Sequence, residues 1–196
     1  MSNKDRLFQI ADSQQGYFTS AQAIECGYSR TNFHRYVACG EWAKERRGIY
    51  RLSHYPVTSH PDLVVWGLWS RNMKGKVQGA WSHETALELY ELSDVMPAKM
   101  HLTVPKKFRK WTAIPKHLVL HFADLESTDL VEQQGYLVTT PLKTITDVVE
   151  EGKLAEDLLV QAIRDALQKG LISRKDLKEA AITNMNLSRI LNEYQI

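Results

Sequence analysis

The sequence has little of what marks a membrane protein, a secreted scaffold or a familiar enzyme. No apolar run approaches the roughly 18 residues that a membrane-crossing helix needs. The opening residues MSNKDRLFQ contain no apolar leader core, so a cytoplasmic protein is expected. Only two cysteines occur, Cys26 and Cys39, with no His or Cys near them at ligand spacing, so free thiols are expected. No phosphate-binding G-x-x-x-x-G-K-[ST] and no nucleophile G-x-S-x-G is present. His83-Glu84 opens like a zinc-protease motif, but position 87 is Leu87 rather than a second histidine. Seven histidines are scattered (His34, His54, His60, His83, His101, His117 and His121). His101 and His121 fall on expected strands and could be neighbours, but two imidazoles do not make a zinc site. Asp147 with Glu151-Gly152-Lys153 imitates a nuclease acid set, yet it sits at a helix end, one turn apart. No set of residues fills the roles of an active site, so no catalytic residue, metal or cofactor is expected, and the chain reads as a non-enzyme.

What is present begins with charge placement. The 196 residues are 43% hydrophobic with a net charge of +2, which suits one large or two small globular domains. Residues 1–55 hold eight Lys/Arg against five Asp/Glu, whereas the remainder holds seventeen against eighteen. The positive excess therefore belongs to the first quarter of the chain, as an electrostatic footprint for nucleic acid would.

That quarter carries the clearest local signals. Thr19 with Gln22 forms a capping box for a short helix from Ser20 to Cys26, ended by Gly27. Ser29 caps a second helix from Arg30 to about Cys39, stopped by Gly40. Two capped helices joined by a tight glycine turn are the sequence form of a helix-turn-helix. Phe33, Tyr36 and Val37 recur at helical spacing and should face inward. Ser29, Arg30, Thr31, Asn32, His34 and Arg35 are then left outside, where a recognition helix offers its N-terminal end to the major groove. The competing reading is a solvated face on a small core helix. Residues 42–52 follow as a hairpin with Arg46-Arg47-Gly48 at its tip and Lys44 and Arg51 beside it. Arginine at a wing tip can meet phosphates or a narrow minor groove. An earlier helix over 4–14, with Leu7, Ile10 and Ala11 on one stripe, completes a winged helix-turn-helix.

The rest reads as a second domain. Residues 1–55 are taken as the DNA-binding domain, 56–61 as a linker with two prolines, and 62–196 as a C-terminal domain. Ser59 or His60 can cap a helix that opens at Pro61 and runs to about Met73, apolar nearly all round and so buried on several sides. Ser82 caps a helix from His83 to about Leu92. Strands are expected at 100–104, 118–122 and 136–139, and helices at 141–150, 154–168, 173–181 and 186–196. Lys143 and Asp147 stand four apart, as an ion pair on one helix face would. The fold class is α+β: an N-terminal winged helix-turn-helix domain plus a C-terminal mixed α/β domain with a small, mostly antiparallel sheet.

Charge is segregated in this second part. Residues 95–123 contain Lys99, Lys106, Lys107, Arg109, Lys110 and Lys116 and no acid, while 124–157 hold nine acids against two lysines. With Phe108 and Trp111 interleaved, the basic stretch could touch nucleic acid by charge and stacking. It equally fits a solvated loop that its aromatics anchor.

Residues 5–52 resemble the winged-helix domain of the AbiEi-type antitoxins. The resemblance rests on Gly16-Tyr17-Phe18-Thr19, an aliphatic helix ending in Gly27, the Ser29-Arg30 cap, and Arg47-Gly48-Ile49-Tyr50 after a basic strand. His101 to Pro105 and Thr139 to Asp147 resemble that family's antitoxin domain, so the likeness spans roughly 5–181, with Lys143 where many relatives carry arginine. The resemblance implies an antitoxin of a type IV toxin-antitoxin system. Such a protein represses its own operon by binding promoter repeats. It opposes a nucleotidyltransferase-like toxin through its C-terminal domain without a stable direct complex. Partners are then double-stranded operator DNA and that toxin as a functional counterpart, with no membrane; the oligomeric state on DNA stays open. The alternatives are a winged-helix protein-interaction module and, more weakly, a metal-dependent nuclease-like enzyme.

Overall fold

The computed structural model describes every residue except Val57 and Ser59. The chain divides into two compact units, 1–79 with 132–137, and 80–131 with 138–196. The sequence places the boundary at 56–61 and assigns 62 onward to the second domain. Instead 62–79 belong to the first unit, and Val57 and Ser59 of the expected linker, including the cap proposed at Ser59, lie outside the described residues.

The first unit opens with α1 (Asn3–Asp12), whose capping box pairs Ser2 with Asp5. β1 (Tyr17–Thr19) leads directly into α2 (Ser20–Glu25), and the Thr19–Gln22 capping box forms as the spacing predicts. A 3-10 turn (Arg30–Asn32) precedes α3 (Phe33–Ala38). Here the expected single helix is split. The Ser29 hydroxyl bonds the Thr31 hydroxyl at 2.7 Å and makes no helix cap. β2 (Trp42–Arg46) and β3 (Ile49–Leu52) form the hairpin, and β1 joins β3 to make an antiparallel three-stranded sheet in the order β1-β3-β2.

One core binds these pieces. Leu7, Ala11, Phe18, Ala23, Cys26, Phe33 and Trp42 are buried together. Trp42 is its centre: Tyr36 stacks on it at 4.6 Å between centroids, Phe18 meets it edge-on at 4.9 Å, and Phe33 edge-on at 5.2 Å. Such geometries add about 0.5–1.5 kcal/mol per pair beyond area burial. Cys26 is buried and Cys39 exposed, both as free thiols. A second cluster explains the shifted boundary. α4 (Pro61–Trp69) buries Val64, Val65 and Leu68 against Tyr17 and Ile49 on the sheet. Because α4 is apolar on nearly every side, its sequence is compatible with either unit.

The second unit contains β4 (Ala80–Trp81), α5 (His83–Leu89), β5 (Met100–Val104), β6 (Leu118–Phe122), β7 (Leu130–Gln133), β8 (Tyr136–Thr139), α6 (Pro141–Glu151), α7 (Glu156–Gln168), α8 (Arg174–Thr183) and α9 (Met185–Glu193). The sheet order is β6-β5-β4-β8-β7, but residues 132–137, the end of β7, its turn and the start of β8, group with the first unit. β4 and β5 are antiparallel, whereas β5 and β6 are parallel, with His101 opposite Val119 and Thr103 opposite His121. One parallel pair is compatible with the expected mostly antiparallel sheet. The segment 105–117 has about the dozen residues that a parallel crossover requires. The helices α6 to α9 pack around Ile145, Val148, Ile163, Leu177, Leu187 and Ile190. Lys143 and the buried Asp147 form the expected ion pair on α6. Burial raises the Asp147 carboxyl above its ordinary range, although Lys143 pulls the other way.

Candidate nucleic-acid interface

The residues expected on the outer face of the recognition element are outside. Ser29, Arg30, Thr31, His34 and Arg35 are exposed, Asn32 is half-buried, and Phe33 is buried beneath them. Phe33 fixes the face: it meets Trp42 on one side and Tyr50 at 5.6 Å on the other, so α3 cannot rotate without opening the aromatic core.

Between α3 and the wing lies a cleft of about 730 Å³. Arg30 and His34 line it from the helix side, and Lys44 and Arg47 from the wing, with Phe33, Val37 and Tyr50 as its floor. Carboxylates are absent from this lining among the described residues. Three permanent cations and one imidazole around an apolar floor attract a polyanion, and the floor accepts sugar or base edges.

The wing's cations divide in two. Lys44, Arg46 and Arg47 are exposed. Arg46 also lays its guanidinium 3.7 Å from the centroid of the Trp66 ring. Arg51 pairs with Glu45 at 3.1 Å and donates to the carbonyls of Tyr55 at 3.2 Å and Leu52 at 3.5 Å. A bulge between Lys44 and Arg46 shifts the β2 register. A bulge bends its strand and re-aims side chains. Of the wing arginines expected to touch DNA, Arg51 is thus half-buried and hydrogen-bonded within the unit, while Arg46 is exposed beside Trp66.

Arg71 escapes sequence reasoning. Its guanidinium donates to the Gly48 carbonyl at 3.3 Å and the Leu68 carbonyl at 2.6 Å, tying the wing turn to the end of α4. Gly48 there has φ of +76°, a left-handed conformation that glycine accepts without a Cβ clash. Burial lowers the Arg71 pKa, the direction expected for a cation taken from water. Nothing in the local pattern marks an arginine just after an apolar helix as a wing support.

Apart from Lys99, which precedes β5, the cations of the second basic stretch lie on the loop joining β5 to β6. Phe108 is buried, and the Arg109 guanidinium donates to the Phe108 carbonyl at 2.7 Å. Lys110 lies 5.9 Å from the Phe108 ring. Lys99, Lys106, Lys107 and Lys116 are exposed, and Trp111 is fully exposed. Phe108 therefore anchors the loop and leaves Trp111 as the aromatic face open to a partner.

The second unit also gathers three histidines that are far apart in the sequence. His101 Nδ1 is 3.0 Å from His121 Nε2, and His83 stacks on His121 at 3.5 Å between ring centroids. Burial pushes all three imidazoles down, His83 to about 3 and His121 to about 4. The His101–His121 approach was legible from the strand alternation. His83 arrives from α5, which no spacing connects to β6.

Residues 5–53 match the model of a family described as transcriptional regulator, AbiEi antitoxin. Among solved structures, the chain is similar to the RV2827C protein from Mycobacterium tuberculosis, with a TM-score of 0.57 and 12% identity over 97% of this chain and 76% of that one. At that identity the likeness is one of fold. No curated protein matches the chain. Among the described residues, no helix is long and apolar enough to cross a membrane.

Proposed function

We propose that this chain, whose first quarter matches the AbiEi antitoxin family of transcriptional regulators, is a cytoplasmic, non-enzymatic regulator that binds operator DNA through its first unit. The observation that carries the reading is the cleft in which Arg30, His34, Lys44 and Arg47 converge. In this reading α3 enters the major groove. Ser29, Arg30, Thr31, Asn32, His34 and Arg35 then meet base edges and flanking phosphates. Lys44 and Arg47 hold the backbone beside them. Arg46, Arg51 and Arg71 act as positioning residues: Arg46 lies over Trp66 of α4, Arg51 pairs with Glu45 in the hairpin, and Arg71 ties the Gly48 turn to the end of α4. The DNA is the protein's own promoter, where binding to repeats represses the operon. The second unit supplies the activity against a nucleotidyltransferase-like toxin, without a stable complex. The basic loop with Lys106, Lys107, Arg109, Lys110 and Lys116, together with Lys99 just before β5, is a secondary phosphate-binding surface with Trp111 at its edge.

The test is a gel shift on the upstream DNA at two salt concentrations, comparing wild type with Arg30→Ala/Arg47→Ala. Preferential binding to that DNA is expected. The double variant should flatten the log–log salt slope by about 0.9 for each phosphate it no longer neutralises. Equal binding to random duplex would overturn autoregulation and favour a protein-binding winged helix.

A further inference from the structure

We propose that His83, His121 and Glu151 form a binding site for one divalent ion of the zinc class, with His101 as a positioning residue behind His121. Each contributes one ligand atom, and the three atoms lie within 4.8 Å of one another. They come from three places in the fold: His83 opens α5, His121 lies on β6, and Glu151 ends α6. Zinc–nitrogen bonds of about 2.0–2.1 Å place tetrahedral ligands about 3.3 Å apart. His83 and His121 are stacked with their ring planes 11° apart, so loading requires side-chain torsions that turn the two rings out of the stack to aim their nitrogens at one ion as well as closing the spacing.

The surroundings are those of a built site. His83 is buried, and its Nδ1 lies 2.9 Å from Ser82 Oγ, which leaves Nε2 as the ligating nitrogen. The fully buried Ser82 also accepts from Thr103 Oγ1 at 2.7 Å, so the ring is held by a second polar layer. Ligating histidines generally carry such a partner on the other nitrogen. The register explains His101: it pairs with Val119, two residues before His121 on the same face of the neighbouring strand. Backbone strain adds to the picture, because His83 has φ of +51° without being glycine. A non-glycine residue held there is a recurrent feature of ligand-binding positions. Glu151 Oε1 is paired with the mostly exposed Lys153 ammonium at 2.6 Å, and a bound cation would take over that partner's role.

The donor set selects the ion. Two imidazoles and one carboxylate suit zinc, cobalt, nickel or iron(II), whereas magnesium and calcium favour all-oxygen cages. Three protein ligands leave a fourth position for water or a substrate oxygen.

The experiment uses the full, tag-free chain stripped with chelating resin and then titrated with zinc against a chromophoric chelator. A parallel titration with cobalt is read by visible absorption. One equivalent per chain is expected, with the intense d–d bands of low-coordinate cobalt. Glu151→Gln at the helix end should weaken binding while leaving far-ultraviolet circular dichroism unchanged, and His83→Asn/His121→Asn should abolish the bands. His101→Gln should weaken zinc about 10–100-fold, as loss of an outer partner does. Absence of a stoichiometric wild-type complex, or cobalt spectra unaltered in the ligand variants, would overturn the site.

Discussion

The Arg46 guanidinium rests 3.7 Å from the centre of the Trp66 ring, while its neighbour Arg47 is exposed in the cleft beside α3. Two adjacent arginines at one turn, both exposed, therefore have different neighbours. Arg46→Ala should lower stability by about 0.5–1 kcal/mol, the worth of a partly exposed cation–π contact. Arg47→Ala should leave the melting temperature unchanged and weaken DNA binding. Thermal melts and gel shifts on both variants separate the two; a large loss of stability in Arg47→Ala would contradict the division.

Trp42 is the hub of the first unit, in ring contact with Phe18, Tyr28, Phe33, Tyr36 and Tyr50. Trp42→Ala should cost about 3–5 kcal/mol. That is a large part of a small unit's stability. Near-ultraviolet circular dichroism and denaturant midpoints report the loss. A variant that melts like wild type would mean the aromatic core contributes little.

Gly16 holds φ of +87°, and a Cβ there would stand 2.6 Å from the Tyr55 Cβ, well inside van der Waals contact. Gly16→Ala should destabilise the first unit by about 1–3 kcal/mol, through the left-handed backbone and the clash together. Urea unfolding measures this, and a neutral or stabilising result would show that the α1–β1 turn relaxes freely.

The histidine cluster sets a pH dependence in chelator-treated protein. His83 and His121 titrate near 6.5 when unfolded, and at about 3 and about 4 when folded. Glu84 and Glu151 pull His101 up and Glu151 pulls His121 up, while lysines 99, 143 and 153 push the cluster down; burial is the largest cause for each ring. Below 6.5 the unfolded chain takes up protons that the folded chain refuses. The stabilisation is thus present in full above pH 6.5 and lost as pH falls towards 4 and then 3. Melting temperature should drop across that window, and less steeply in His121→Gln. Identical slopes in the two proteins would remove the imidazoles as the cause.

In the basic loop, Phe108 is buried and Trp111 is fully exposed. Phe108→Ala should destabilise the second unit by about 3 kcal/mol or more. Trp111→Ala should leave stability within about 0.5 kcal/mol. Differential scanning calorimetry distinguishes them, and equal effects would mean that Trp111 also packs.

Local chemistry was legible in the sequence. Thr19–Gln22 closes its capping box, and Lys143 pairs with Asp147 one helical turn on. These interactions span three or four residues, so spacing alone specifies them. The Ser29 cap does not form because its hydroxyl has a nearer partner in Thr31. Side-chain hydroxyls in turns compete for each other as readily as for backbone N–H groups.

By itself, the sequence determined the helix-turn-helix with its hairpin, the outward face of α3 and the burial of Phe33. Each follows from periodicity, caps and glycine turns within one stretch of chain. Tertiary structure alone decided what lies against the wing, because Trp66 and Arg71 reach the hairpin from positions that no local pattern links to it. It also decided that α4 belongs with the first unit, since an all-round apolar helix carries no directional preference until a sheet is there to receive it. The meeting of His83, His121 and Glu151 is of the same kind: ligands drawn from a helix start, a strand and a helix end converge only when the sheet and α6 are packed.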